Sequence, residues 1–168
     1  MDLAPDDPRR DDVTDLLTEH LADMHATSPP ESIHALDVDA LVDPRITFVS
    51  AREDGVLLGC GALKLLTDVH GEVKSMRTTY AARGRGVAAA VLARLLAEAR
   101  QRGLRRVSLE TGTEDYFAAA HRLYERHGFV DCEPFADYVL DPHSVFYRLS
   151  LSAPDVPATG PRAAQPAS

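Results

Sequence analysis

The chain is 168 residues long, 45% hydrophobic and 26% charged, with a formal net charge of −8. That length suits one domain with a self-sufficient core, and the acidity argues against general nucleic-acid binding. No apolar run approaches the roughly 18 residues of a membrane span.

The chain opens on "MDLAPDDPRRDD", which is acidic and lacks the apolar stretch of a signal peptide. That favours the cytoplasm. Residues 2–4 are a weak candidate strand. From 11 to 24, Val13, Leu16, Leu17, Leu21 and Met24 recur at helical spacing. Pro29-Pro30 ends that helix. "SIHALDVDAL", 32–41, predicts a second short helix, stopped before Pro44. "ITFVSARE" and "VLLGCGALKLL" predict a hairpin about Asp54-Gly55. "GEVKSMRTT", 71–79, predicts a third strand paired with the one before it. A helix follows over 84–102, with Val87, Val91, Leu95 and Ala99 on one stripe and Gly103 as its stop. "RRVSLE" predicts a strand, "YFAAAHRLYERHG" a helix, and "FVDCEPF" and "SVFYRLSL" the last strands. From Ser152 on, Pro, Ala and Ser without pattern predict a disordered tail. Cys60 and Cys132 form neither a metal-ligand spacing nor a disulfide framework and read as buried thiols. The order gives a mixed α/β sheet, antiparallel first, with a βαβ crossover in its middle.

The stretch "YAARGRGVAAAVLARLL", 80–96, carries the chemistry. Residues 83–106 hold seven arginines and one glutamate, whereas 1–54 hold fourteen acids and four bases. A glycine turn opening a helix offers free N–H groups and a positive dipole end to a phosphate. Three signatures compete for it. A Walker loop needs a lysine and a hydroxyl residue after the second glycine, and Gly86 is followed by neither. Gly84, Gly86 and Ala89 satisfy a dinucleotide fingerprint, with Glu110 as the ribose acid. Against that, Tyr80 to Arg83 intervene between strand and turn, and the unit follows an antiparallel hairpin. The third pattern is R-x-x-G-x-A at Arg83, Gly86 and Ala88, with the N–H groups of Arg85, Gly86, Val87 and Ala88 facing one concavity.

With "LSLET" and "AHRLYERHGF" downstream, this third pattern resembles the GNAT N-acetyltransferase family. The resemblance is close over 55–129 and extends to the element order beyond. It implies a GNAT fold over residues 1–151: a mostly antiparallel twisted sheet of six to seven strands with about four helices. It implies acetyl-coenzyme A as acetyl donor and no metal. The acceptor is an amine of a small molecule or peptide, attacking directly in a ternary complex. A homodimer is a candidate assembly, and nucleic acid and membrane are not expected partners. The alternative within the same fold is a non-catalytic acyl-coenzyme A sensor.

Residue by residue, the resemblance implies that the third strand splays from its neighbour and that Met76 and Thr78 meet the pantetheine arm. Arg83, Gly84, Arg85, Gly86, Val87 and Ala88 match the pyrophosphate loop. Tyr124 matches the tyrosine that protonates the departing thiolate, a task a phenol can perform at hydrogen-bond distance. Glu72 matches a frequent base, with Glu110 as rival and His70, read as a solvated turn histidine, as a third candidate. Family members often carry an asparagine where Phe117 stands, so an apolar contact is expected there. Glu31, Ser32 and His34 after the Pro-Pro pair, together with Glu110, Tyr138, Asp141 and Ser144, are candidate acceptor contacts.

Overall fold

A computed structural model describes residues 1–34 and 37–151. Ala35, Leu36 and the expected tail, 152–168, lie outside the described residues. In chain order the elements are β1 (Asp2–Pro5), α1 (Asp11–Thr27), β2 (Ile46–Glu53), β3 (Val56–Leu65), β4 (His70–Thr78), α2 (Val87–Gln101), β5 (Arg106–Gly112), α3 (Ala118–Arg126), β6 (Val130–Asp131) and β7 (Ser144–Ser150). The strands form one sheet in the order β1-β2-β3-β4-β5-β7-β6. All neighbours are antiparallel except β4 and β5, which α2 joins as a parallel pair.

The local reasons are legible. Asp54 and Gly55 both take positive φ (50° and 81°), the turn whose twist matches a two-residue hairpin. In α1, Asp11 and Asp12 stand at the positive end of the helix dipole while Val13, Leu16 and Leu17 are buried. That stripe packs on Phe48, Leu57, Cys60 and Ala62 of the sheet. The α2 stripe of Val87, Val91, Leu92, Leu95 and Ala99 packs with Val49, Leu63, Val73 and Val107 in a second cluster. Each helix thus covers its own face, and β3, buried at seven successive positions from Leu57 to Leu63, runs through the middle.

Two irregularities of β4 shape the site. First, Cys60 pairs with Arg77 and Ala62 with Lys74, so β4 carries one residue more than β3 across that step. Ser75 takes a left-handed φ of 55° in this bulge. Second, β4 pairs with β5 only at His70, Gly71 and Glu72. Beyond Glu72 it stays with β3, while β5 stays with β7 as far as Gly112. The sheet opens between them, which is the expected splay.

Four expectations need correction. In place of a helix over 32–41, the described residues hold two short 3-10 turns, Pro30–Ser32 and Ala40–Val42. The side chains explain it: Ser32 bonds Asp141 far along the chain, and the Asp37 carboxylate takes the Ala40 N–H, starting a separate turn. The described residues therefore contain three α-helices. "FVDCEPF" contributes only Val130–Asp131 as strand; Pro134 has no N–H to continue the ladder, and Ala136 turns away with φ 50°. His70 is buried rather than solvated, with Nε2 2.7 Å from Ser108 Oγ. Cys60 is buried as expected, but Cys132 is only partly so.

Candidate active site

The glycine turn lies at the open end of the splay. Gly84 (φ 74°) and Gly86 (φ 78°) are both left-handed, where a side chain would be strained. A Cβ on either would meet nothing within 4 Å, so the room beside them is open. Gly86 is the N-cap of α2 and no side chain caps that end. The first bond of the helix runs from the Ala90 N–H to the Gly86 carbonyl at 3.0 Å. The N–H groups from Gly86 to Ala89 therefore have no partner within the helix. Arg85 leaves the expected set: its N–H is bonded to the Ala82 carbonyl at 3.4 Å. Its guanidinium bonds Glu53 at 2.6 Å, and that of Arg83 lies 5.2 Å from the Tyr80 ring centroid. The cradle is made by backbone, with one arginine held at its edge by a carboxylate. These groups suit a pyrophosphate.

Between β4 and β5 the splay holds a cavity of about 90 Å³. Glu72, Lys74, Ser75 and Met76 line it from β4, and Glu110 from β5. His20 and His34 face it from α1 and the segment after Pro30, and Tyr124 from α3. Tyr124 is 6% exposed and packs against Phe129 and Tyr147. Burial, with the charge of Glu110, raises its phenol well above the ordinary range. It is a protonated donor at any working pH. Burial pushes the Glu110 carboxyl up to about 7, against a 2.9 Å hydrogen bond from the Ser144 hydroxyl and the charge of Lys74. A carboxyl that titrates near neutrality can both hold and release a proton there.

Glu72 is differently placed. It is 3% exposed and engaged twice: Lys74 Nζ donates to it at 3.0 Å, and the Tyr138 hydroxyl donates to the same oxygen. Lys74 also donates to the Tyr138 oxygen at 2.7 Å. The Tyr138 ring is wedged among His34, Phe135 and Phe146. The carboxylate expected as base thus lines the cavity while it accepts from both Lys74 and Tyr138.

The remaining expected residues are largely brought together. Ser32 is buried and donates to Asp141 at 2.6 Å, joining the segment after Pro30 to the loop before β7. His34 meets Tyr138 edge-on at 5.0 Å, and burial with the charge of Lys74 lowers its pKa. Phe117 is buried and lines the cavity. Met76 lies on the unpaired edge of β4 and packs with the α2 cluster, and Thr78 ends that strand. Glu31 is exposed, outside this cluster.

Sequence reasoning missed Lys74, Arg77 and His20. Lys74 stands two residues after Glu72, and strand alternation alone puts both on one face. Arg77 could not be found that way, because the bulge at Ser75 reverses the alternation. Arg77 is 8% exposed and donates to Glu19 and Asp23 of α1 and to the Tyr116 hydroxyl. His20 lies beside it with Nδ1 buried and unpartnered; burial and the Arg77 charge push it down to about 4.

Residues 11–129 match the profile of the Acetyltransferase (GNAT) family. The chain is 54% identical over 149 residues to "Uncharacterized N-acetyltransferase YedL" of Escherichia coli K12, covering 89% of this chain and 94% of that one. It is 52% identical over 151 residues to "Uncharacterized N-acetyltransferase YsnE" of Bacillus subtilis 168, covering 90% and 100%. The crystal structure of a GNAT family acetyltransferase from Elizabethkingia anophelis with acetyl-CoA bound shares the fold, with a TM-score of 0.65 at 15% identity, over 89% of this chain and 97% of that one. The chain belongs to the GNAT family of acetyltransferases, and it is an acetyl-transferring enzyme. The dinucleotide reading of the glycine turn falls with that finding.

Proposed function

We propose that residues 1–151 form one domain that acetylates a primary amine on a small molecule or peptide in the cytoplasm, by direct attack within a ternary complex. The observation that carries this reading is the splay after Glu72. It opens a single cavity lined by both Glu110 and Tyr124, on the strand that runs on to the glycine turn of Gly84–Ala88. Acetyl-coenzyme A fits these groups: unpartnered N–H groups for its pyrophosphate, and the unpaired edge of β4 at Met76 and Thr78 for its pantetheine arm. When bound it supplies an activated thioester.

The chain supplies the proton transfers. An amine reaches the pocket as ammonium and must lose a proton before its lone pair can attack. Glu110, ionised above about pH 7, takes that proton. The new N–C bond forms as the C–S bond breaks; the Tyr124 hydroxyl gives its proton to the departing sulfur, and the second proton shed by the acetylated nitrogen restores the phenol. A backbone N–H of β4 polarises the carbonyl. Neither cysteine lines this cavity, which agrees with transfer without an acyl-enzyme.

The test is thiol release from acetyl-coenzyme A across an amine panel, for wild type, Glu110→Gln and Tyr124→Phe. Glu110→Gln is expected to lower kcat by about 10²–10⁴-fold and to abolish the rise of rate through pH 7. Tyr124→Phe is expected to lower kcat while leaving acetyl-coenzyme A binding intact. A Glu110→Gln enzyme with the wild-type pH profile would exclude Glu110 as the base.

A further inference from the structure

We propose that Lys74, Glu72 and Tyr138 form a positioning unit for Glu110, clamping the loop before β7 over the acceptor side of the cavity and fixing the charge that Glu110 faces. The inference rests on the reading of Glu110 as the base and assigns three residues that act through it.

The geometry is specific. Glu72 and Lys74 are consecutive same-face positions of β4, on the stretch where that strand parts from β5. Glu72 still pairs with Ser108, two residues before Glu110, so both β4 groups flank Glu110 across the opening splay. Their side chains are 4% and 9% exposed. Between them they use both hydrogen-bonding functions of the Tyr138 oxygen, which accepts from the ammonium and donates to the carboxylate. Tyr138 is the only side chain of the loop before β7 to reach β4 by a hydrogen bond among the described residues. A second tie, Ser32 to Asp141, holds the same loop to the segment after Pro30. A third, Ser144 to Glu110, holds its end to the base itself. Glu110 is bonded to Ser144 and the β4 pair to Tyr138, so the loop that carries Tyr138 and leads into Ser144 connects the β4 pair to the base.

The charges around Glu110 come from four elements. On β4, Lys74 favours its ionised form and Glu72 opposes it. From the loop, Asp141 opposes it as well. Tyr138 and Tyr124, from the loop and α3, are neutral phenols whose own ionisation Glu110 disfavours. The Ser144 hydroxyl of β7 donates to it. Lys74 is the only cation in this set, so the two β4 groups act on Glu110 with opposite signs.

That opposition gives a test that loosened packing cannot imitate. Lys74→Met removes the cation and leaves Glu72 uncompensated; the Glu110 midpoint should rise by about one pH unit or more. Glu72→Gln keeps the shape and removes the anion; the midpoint should fall by a similar amount. Tyr138→Phe keeps the ring and breaks the clamp; KM for the amine should rise about tenfold or more while KM for acetyl-coenzyme A holds. The Glu110 midpoint is read from carboxyl ¹³C resonances of the full-length protein, assigned with Glu110→Gln, and the pH–rate profile is recorded in parallel. Midpoints that move in opposite directions, with a selective change in amine KM, support the unit. Midpoints unmoved in both charge variants, or moved in the same direction, overturn it. Midpoints that move as expected while the pH–rate limb stays fixed leave the unit standing and remove Glu110 as the base. If Lys74→Met does not fold, Glu72→Gln and Tyr138→Phe decide alone.

Discussion

At the residue scale, the site turns on how burial treats two carboxylates a short way apart on neighbouring strands. Glu72 is the more deeply buried, yet it accepts hydrogen bonds from an ammonium and a phenol. Glu110 has a single hydroxyl donor and a distant cation, so desolvation dominates and its carboxyl is pushed up to about 7. This makes Glu110 costly to the fold as well as useful to catalysis. A carboxyl whose folded pKa is raised binds more protons folded than unfolded between about 4.5 and 7. Stability therefore falls as pH rises through that window, and the loss persists above it. Glu110→Gln, which keeps the Ser144 contact, should be more stable than wild type by about 1–3 kcal/mol at pH 8. At pH 4 the difference should vanish. Urea unfolding at the two pH values reads it directly. The sequence made Glu110 visible as the end of "RRVSLE", but not its rank over Glu72. Rank depends on which neighbours arrive, and Lys74, Tyr138 and Ser144 come from separate parts of the chain.

At the element scale, β4 does the arranging. Without the extra residue at Ser75, Met76 and Arg77 would exchange faces. Met76 would leave the α2 cluster and Arg77 would lose Glu19, Asp23 and Tyr116. The partner opposite this bulge is Gly61. A Cβ there would stand 2.6 Å from Met76 Sδ, 2.8 Å from Val91 Cγ1 and 3.0 Å from Leu95 Cδ1, so packed side chains must shift to admit it. Gly61→Ala should therefore cost about 1–3 kcal/mol through overpacking and strand displacement. Thermal unfolding should show a Tm lower by several degrees, with KM for acetyl-coenzyme A raised because the β4 edge shifts. The hairpin, the crossover and both buried stripes were readable because each is a local pattern: a two-residue turn, a period of 3.6, a glycine stop. The bulge was not, since "KSMR" alternates well enough to hide an insertion. The expected helix over 32–41 failed for a related reason. Its apolar spacing was adequate, but Ser32 and Asp37 spend their side chains on tertiary and capping bonds that the pattern does not record.

At the scale of the whole molecule, the acidic half of the sequence meets the basic turn through Glu53 with Arg85, and its other carboxylates pair with arginines outside that turn: Asp6 and Asp12 with Arg52, Glu19 and Asp23 with Arg77. Asp12, Asp23 and Asp43 are held below the usual carboxylate range, first of all by side-chain hydrogen bonds from Arg52, Arg77 and Arg45. Groups lowered in this way keep their contribution until pH falls through their folded values, so they matter below about pH 4. The histidines act earlier. Burial lowers His20 to about 4, and it also lowers His34 and His70. Each binds a proton more readily in the unfolded chain from about pH 6.5 downward, so each withdraws stability as pH falls through that window. Glu110 pulls the other way over much of the same range by an amount similar to that of His20, so the lowered His34 and His70 set the net sign. The protein should therefore lose stability between pH 7 and pH 5, before its ion pairs are touched. His20 should supply much of the slope, since its Nδ1 is buried without a partner and protonation would set a second cation beside Arg77. In His20→Gln the loss between pH 7 and pH 5 should shrink by about 1–3 kcal/mol, measured by urea unfolding at both values. In Glu110→Gln the same loss should grow. An unchanged slope in His20→Gln would mean that the imidazole is solvated and protonates freely in the native state.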